Sequence, residues 1–226
     1  MINDFIQQRL RSAFPEKSDP LTSRAVREGI LLADDLIDTN EILKTLIGKD
    51  LRGHVRRAGV MMKLHDFCAS GDLPFGAEFK RMPIGSWHFL ELKSGAVTAH
   101  VHKTESAGAF PKDTPTRQLE RVTNQPDLFA DENVVPFSQI MGEGPFNAWL
   151  TFGAGEGGKC GHITWRVPAS DDDDWLASID VLQSAAKSIA TPPSEKTPSP
   201  KEKMRFKDHV EAAIERSNKS DKQENE

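Results

Sequence analysis

The stretch that decides the fold is WHFLELKSGAVTAHVHK, residues 87–103. Apolar and polar residues alternate on both sides of Ser94 and Gly95, and glycine tolerates the positive φ that a tight hairpin turn needs. The pattern therefore predicts two antiparallel strands, in which directly opposed residues lie on the same face of the sheet. We expect a core face made of His88, Leu90, Leu92, Val97, Ala99 and Val101. The opposite face is expected to carry Trp87, Phe89, Glu91, Lys93, Thr98, His100 and His102.

The first seventy residues predict helices, because apolar residues recur there at helical spacing. The expected helices cover 2–13, about 22–37, 39–48 and 50–68. Thr22 or Ser23 can cap the second helix, and Thr39 can cap the third, which ends at Gly48. Asp50 can cap the fourth helix. One apolar stripe of the fourth helix is formed by Leu51, Val55, Ala58, Met62 and His65 or Asp66.

From Phe75 onwards the hydrophobic period changes towards two and predicts strands. The expected strands cover 77–82, 87–93 and 96–103, followed by a second hairpin of 146–152 and 162–167 around a glycine-rich loop. The segment from about 105 to 145 has no sustained period and predicts a long loop with about one helical turn. The acidic run at 171–174 can cap a helix that continues to about Ile189, since acidic residues suit a helix N-terminus.

Helices and strands segregate along the chain, which indicates the α+β class. We expect N-terminal helices packed on an antiparallel sheet of about five strands, with a C-terminal helix and a disordered tail. Residues 1–190 would form one domain, with 1–70 mainly helical and 75–189 containing the sheet and a helix. A linker rich in proline and serine follows at 191–202, and 203–226 is an amphipathic tail.

The composition excludes several functional classes. The chain has 226 residues and a net charge of -5, so no global charge attracts nucleic acid or an anionic membrane. No apolar run approaches the roughly 18 residues of a membrane span, and the N-terminus lacks the pattern of a secretion signal. The two cysteines, Cys68 and Cys160, are far apart and give neither disulfide nor zinc spacing. We therefore expect a cytoplasmic protein.

The triplet Glu91-Leu-Lys93 resembles the motif of the PD-(D/E)xK nucleases, in which an acidic residue binds Mg²⁺ and a lysine positions water. If 83–86 form a loop, Glu78 lies opposite Glu91 on the same face. Glu78 and Glu91 are then candidate metal ligands, and Mg²⁺ is the expected cofactor if the nuclease hypothesis holds. The alternative is a solvated or partner-binding face, because alternating charge is common on exposed strands.

His100 and His102 place two imidazoles on the same face, as a metal site requires, and Glu91 or Thr98 could join them. Both histidines are candidate catalytic residues. His162 on the second hairpin is the nearest further histidine. The alternative is a pair of surface histidines on an amphipathic strand. The loop GAGEGGKC at 153–160 matches two phosphate-binding patterns, but both need a helix to begin at the loop. A β-branched segment follows instead, so we interpret the loop as a hairpin connection.

Two further segments are candidates for partner binding. The fourth helix carries Arg52, Arg56 and Arg57, a basic face that could contact nucleic acid or an acidic partner, or could simply be solvated. In the tail, Phe206, Val210 and Ile214 lie on one narrow stripe. One short helix cannot build its own core, so we expect the tail to order against a partner protein.

Several segments together resemble uncharacterised bacterial and prophage proteins that are encoded beside a helix-turn-helix/zinc-metallopeptidase-like regulator, as in Rosmer-type toxin–antitoxin pairs. The matching segments are LRGHVRRA at 51–58, HFLEL at 88–92, NQPDLF at 124–129 and WLTFG at 149–153, with Trp175, Ile179 and Asp180. The resemblance implies a component of a toxin–antitoxin or phage-defence module, with the toxin favoured over the regulator. Its expected partner is the cognate antitoxin or regulatory protein. The Mg²⁺-dependent nuclease and a non-enzymatic interaction protein are the alternatives.

Overall fold

The computed structural model describes residues 2–82, 87–122, 124, 145–154, 159–170 and 173–190. The chain divides into two units, Met1–Ile189 and Ala190–Glu226, and the sheet belongs to the first. The predicted linker and tail, with Phe206, Val210 and Ile214, lie outside the described residues. The same holds for 125–144 of the central segment and for 155–158 of the glycine-rich loop.

The N-terminal part is helical, as the sequence predicts. Its elements are α1 (Ile2–Ala13), a 3-10 turn (Glu16–Ser18), α2 (Asp19–Thr39), α3 (Glu41–Lys44) and α4 (Leu46–Ala69). The predicted boundaries near residue 45 are wrong. Thr45, and not Asp50, caps α4, since its Oγ1 accepts a hydrogen bond of 3.0 Å from the N–H of Gly48. Gly48 therefore lies inside α4 and does not end α3, and a Cβ there would collide with the backbone of Ile42 and Leu43.

The described strands form one mixed sheet. Its strands are β1 (Gly76–Arg81), β2 (His88–Ser94), β3 (Val97–Lys103), β4 (Phe146–Ala154), β5 (Cys160–Pro168) and β6 (Trp175–Asp180), in that spatial order. The expectation of about five antiparallel strands is corrected on two points: there are six, and β3 pairs with β4 in parallel. The parallel pair arises because the connection crosses over the sheet through α5 (Pro115–Val122) instead of turning back as a hairpin.

The sixth strand replaces the first part of the helix that was predicted to begin after the acidic run at 171–174. Ala177 and Ile179 are buried, while Ser178 and Asp180 are exposed, so the segment follows the period of a strand. It pairs with β5, and only then does α6 (Val181–Ala190) begin. Asp180 caps this shorter helix, because its Oδ1 accepts a hydrogen bond of 2.9 Å from the N–H of Gln183.

The pairing around the decisive hairpin is largely as predicted. Glu78 lies opposite Glu91, and the N–H of Met82 donates a 2.8 Å hydrogen bond to the carbonyl of Trp87 across the 83–86 connection. The turn between β2 and β3 is made by Gly95, with a φ of 58°, and Ala96, one residue later than expected. The predicted core face is confirmed for its apolar members, while His88 at the strand end is exposed.

Helices α1, α2 and α4 contribute buried side chains to the same core as this apolar face of the sheet. Phe14, the residue after α1, stacks on Trp165 of β5 with ring centroids 4.0 Å apart. In α4 the inward residues are Val60 and Leu64, which are completely buried. The stripe that includes Leu51 and Met62 lies on the opposite, exposed side. Helix α5 packs on the polar face of the sheet. None of the described helices is long and apolar enough to cross a membrane.

Candidate functional site

The polar face of β3 is buried beneath α5, which brings Glu120 onto both predicted histidines. Oε1 of Glu120 lies 2.7 Å from Nδ1 of His100, and Oε2 lies 3.6 Å from Nε2 of His102. All three residues are at least 90% buried. The alternative of surface histidines therefore does not describe this strand. Together with Glu91, these residues form what we call the polar cluster.

Helix α5 is fastened over the cluster by the neighbouring strand β4. Nδ2 of Asn147 donates a 2.9 Å hydrogen bond to the carbonyl of Glu120. The completely buried Trp149 donates from Nε1 to Oε2 of Glu120 at 2.8 Å. Burial raises the pKa of Glu120, but its contacts with His100 and His102 outweigh burial and hold this pKa below the usual range for glutamate. Glu120 is therefore an anion at neutral pH.

Glu91 approaches His100 from the side opposite Glu120. Its Oε2 lies 3.9 Å from Nε2 of His100, and its Oε1 lies 2.5 Å from Nζ of Lys80 on β1. The hydrogen bond to Glu91 raises the pKa of Lys80. His100 thus lies between two carboxylates, and a histidine in that position can accept or donate a proton.

The two predicted metal ligands share a lysine. Nζ of Lys80 lies 2.5 Å from Glu91 and 3.9 Å from Glu78, so an ammonium group stands where a cation between the carboxylates would bind. Glu78 is 73% exposed, whereas Glu91 is largely buried. Within the described residues, no group of three or more histidine, cysteine or acidic side chains could hold a metal ion. These residues do not fit a Mg²⁺ site, which needs several converging oxygen ligands.

Lys93, the lysine that the sequence pairs with Glu91, lies farther along the strand. It occupies the register position of Gly76 and Thr98 and is exposed. Lys80 makes the contact to Glu91 instead. Lys80 was not among the predicted site residues, although Glu78-Phe-Lys80 repeats the same Glu-x-Lys pattern on the facing strand.

His102 meets an arginine on the side away from Glu120. Nε of Arg117 donates a 3.4 Å hydrogen bond to Nδ1 of His102. Burial lowers the pKa of His102 to about 4, and the charges of Arg117 and Arg57 act in the same direction against the opposing effect of Glu120. His102 is therefore a neutral proton acceptor at pH 7.

The three arginines predicted to form a basic surface on α4 have different roles. Nε of Arg56 forms a 2.7 Å ion pair with Oδ1 of Asp34 on α2. Nε of Arg52 donates a 3.1 Å hydrogen bond to the carbonyl of Leu43. Arg57 is half-buried and lies close enough to the polar cluster for its charge to act on His102. Two of the three thus hold the helices together, and the third belongs to the cluster environment.

The remaining predicted histidine lies elsewhere. Nε2 of His162 on β5 lies 2.7 Å from Oγ1 of Thr104. The imidazole ring of His162 packs directly on Gly153, and a Cβ at position 153 would collide with it. Burial lowers the pKa of His162. The structure gives this residue a packing role next to β4 and does not bring it into the polar cluster.

A second candidate site is apolar and lies on the helical hairpin formed by α2, α3 and α4. Eight of the twelve large apolar side chains that are exposed among the described residues lie there. We call seven of them the hairpin surface: Leu32, Leu36, Ile42, Leu46, Ile47, Leu51 and Met62. Leu31 instead lines a pocket with Leu182 and Ala185 of α6. The three most exposed are Leu46, Ile47 and Ile42, at 80%, 78% and 69%.

Apolar residues of the hairpin surface recur along α4 at the spacing of a helix that packs against another helix. Ile47, Leu51, Val55, Ala58 and Met62 are spaced by four, four, three and four residues, which places them on one stripe. Apolar stripes with this spacing pack against another helix in coiled coils and bundles.

No protein family, curated protein or solved structure matches this chain.

Proposed function

We propose that this protein is a component of a bacterial toxin–antitoxin or phage-defence module, the toxin rather than its regulator, and that a partner protein binds it at the hairpin surface. The observation that carries the proposal is the concentration of exposed apolar side chains on one helical hairpin. Contiguous apolar patches of several hundred Å² mark interaction sites on soluble proteins. The sequence resemblance supports the biological setting.

The hairpin surface has the form of a helix-binding site. Its stripe on α4 lies beside exposed leucines at 32 and 36, one helical turn apart on α2. The two helices pack directly against each other through Gly29 and Gly59. An amphipathic partner helix laid along this hairpin would bury apolar side chains from both helices, and each fully buried large side chain contributes ~1.5–3 kcal/mol.

The charges at the α3 end of the hairpin select a basic partner. Asp35, Asp38 and Asp50 are exposed there together with one lysine, Lys49, while the exposed Lys44 is already paired with Glu41 at 2.8 Å, so the excess charge is negative. Complementary charge around an apolar core speeds association and selects among partners. The expected occupant is therefore an amphipathic helix of the cognate antitoxin, with lysine or arginine flanking its apolar stripe.

The test combines a growth assay with binding. The chain is expressed alone and together with the neighbouring open reading frame, and the purified complex is measured by calorimetry. The variant Ile42→Ser/Leu46→Ser/Ile47→Ser removes the centre of the hairpin surface. The matched control is Leu119→Ser/Val122→Ser, which changes two exposed apolar residues on α5.

The proposal is supported if the parent chain arrests growth and the neighbouring protein relieves this arrest. The neighbouring protein should fail to relieve the arrest that the triple variant causes. The control variant should bind and be neutralised like the parent chain, and circular dichroism should show the same fold for all three. Equal growth with and without the neighbour overturns the toxin assignment. If the triple variant no longer self-associates but still binds the partner protein, the surface binds a second copy of this chain. That result overturns the docking proposal.

The Mg²⁺-dependent nuclease remains a hypothesis with one observation in its favour. Helix α5 packs on the sheet within the crossover between β3 and β4, an arrangement that such nucleases use and that the sequence pattern did not indicate. The Lys80 contact between Glu78 and Glu91 opposes it. Loss of Mg²⁺-dependent nicking of DNA or RNA in Glu91→Gln, with the fold intact, would support this alternative; absence of nicking by the parent chain would eliminate it.

A further inference from the structure

The cations around His102 outnumber the carboxylates that are free to pair with them. Arg117 lies on α5 with Nε directed at the neutral His102, and Arg57 approaches from α4. The carboxylates whose charges act on these arginines are already occupied: Glu120 contacts His100 and Trp149. Asp113, which also acts on Arg117, has its Oδ2 3.7 Å from Nη1 of Arg121. Two guanidinium groups beside carboxylates that are already engaged leave an excess of positive charge.

Arg57 carries the clearest sign of a missing partner. Its Nε is buried and has no hydrogen-bond partner among the described residues. A buried donor without a partner loses its hydration without compensation. The charge of Arg117 makes the position still less favourable, because like charges repel. An anion placed between the two arginines would satisfy the donor and remove the repulsion.

A third cation lies one helical turn from Arg57. Nζ of Lys103, at the end of β3, is 3.9 Å from the Cβ position of Gly53. Gly53 and Arg57 are four residues apart and therefore share a face of α4. Three cations, from α4, α5 and β3, thus lie at the same end of the sheet. Arginine forks combined with a lysine are a common way of holding a phosphate group.

An exposed aromatic ring lies at the same end. Trp87 is 62% exposed, and its ring lies 5.5 Å from that of His54, the residue that follows Gly53. Exposed aromatic rings beside a basic site bind nucleobases by stacking, with little dependence on sequence. Trp87 is thus positioned to contact the base of a ligand whose phosphate lies between the arginines.

We propose that Arg57, Arg117 and Lys103 form a binding site for the phosphate group of a nucleotide, with Trp87 as the platform for its base. The phosphate can belong to a free nucleotide or to an RNA strand. The site is separate from the hairpin surface, and it holds whether or not a partner protein binds there.

Calorimetry on the full chain tests the site with three probes: inorganic phosphate, adenosine 5′-monophosphate and an eight-nucleotide RNA. Arg57→Gln should weaken the binding of all three about tenfold, the loss of roughly one charge-assisted contact. Trp87→Ala should weaken binding of the nucleotide and the RNA at least about fivefold, while phosphate binding stays unchanged. Arg24→Gln, an exposed arginine on α2, is the matched control.

Binding of the mononucleotide as tight as that of RNA assigns a nucleotide ligand, and much tighter binding of RNA assigns a nucleic acid. Lys103→Gln repeats the test at a half-exposed position, in case Arg57→Gln perturbs the fold. The proposal is overturned if no probe binds saturably, or if Arg57→Gln and Lys103→Gln bind like the parent chain. It is equally overturned if Arg24→Gln loses as much affinity as they do, since the effect would then be general charge.

Discussion

Gly29 and Gly59 bring α2 and α4 into backbone contact. The Cβ position of Gly29 lies 2.5 Å from Cα of Val60 and 2.6 Å from the carbonyl oxygen of Gly59. No larger residue fits at this distance without moving a helix. The contact fixes the rotation of α4, so that Val60 points into the core while Leu51 remains exposed.

Replacing Gly59 by alanine should therefore destabilise the protein. The added Cβ would collide with the Gly29 carbonyl and stand 3.2 Å from Cβ of Ala33. We expect a loss of about 1–3 kcal/mol in urea denaturation. Gly53→Ala on the same helix is the control, since only Nζ of Lys103 lies near its Cβ position. That variant should be neutral or more stable by up to about 1 kcal/mol.

The two faces of α4 predict opposite responses to truncation. Leu64 is completely buried, so Leu64→Ala should cost about 2–5 kcal/mol of unfolding free energy. Met62 is 43% exposed on the hairpin surface, and Met62→Ala should change the free energy by less than about 0.5 kcal/mol. Similar losses in the two thermal denaturation curves would contradict the observed orientation of the helix.

Glu120 should be a stabilising residue as well as a positioning one. In Glu120→Gln the carboxylate that contacts Trp149 and His100 is replaced by an amide, which can accept only one of these contacts well. We expect a loss of about 1–3 kcal/mol and faster hydrogen exchange of the Trp149 indole N–H in NMR spectra. Glu78→Gln, on the exposed edge strand, should leave both quantities unchanged.

The buried His102 should make folding sensitive to acid. Its folded-state pKa of about 4 lies below the ordinary 6.5, so the unfolded chain binds a proton first as pH falls. The stability that the neutral His102 contributes is fully present above about pH 6.5. It is lost as the pH falls from there to 4, by up to about 3 kcal/mol. The lowered pKa of Glu120 acts in the same direction at lower pH.

The contribution of Asp19 to stability changes with pH in the opposite direction to that of His102. The effect of His102 is therefore measured as a difference between variants. Burial raises the pKa of Asp19 to about 6, so its contribution falls as pH rises from about 3.8 to 6. His102→Gln should flatten the fall in denaturation midpoint between pH 6.5 and 4. The exposed His54, changed to glutamine, is the matched control for the replacement of a histidine by glutamine. An unchanged slope in His102→Gln would contradict the assignment.

Local pattern was sufficient for the hairpin and its faces. The strict alternation in 87–103 predicted the buried Leu90, Leu92 and Val101, because a strand that is covered by helices on one face must alternate. The short 83–86 connection placed Glu78 opposite Glu91. The same reasoning failed for β6, where Ala177 and Ile179 alternate over only six residues after an acidic run that suited a helix N-terminus.

The sequence by itself determined which residues form the strands around Glu91 and His100, and that both lie on the polar face, because side-chain direction in a strand depends only on local period. Only the tertiary structure decided their neighbours. Glu120 reaches His100 from twenty residues along the chain, in a segment without period, and the choice between two apolar stripes of α4 depended on the glycine contact with α2. Such contacts depend on how separate elements pack in three dimensions, and no local pattern encodes that packing.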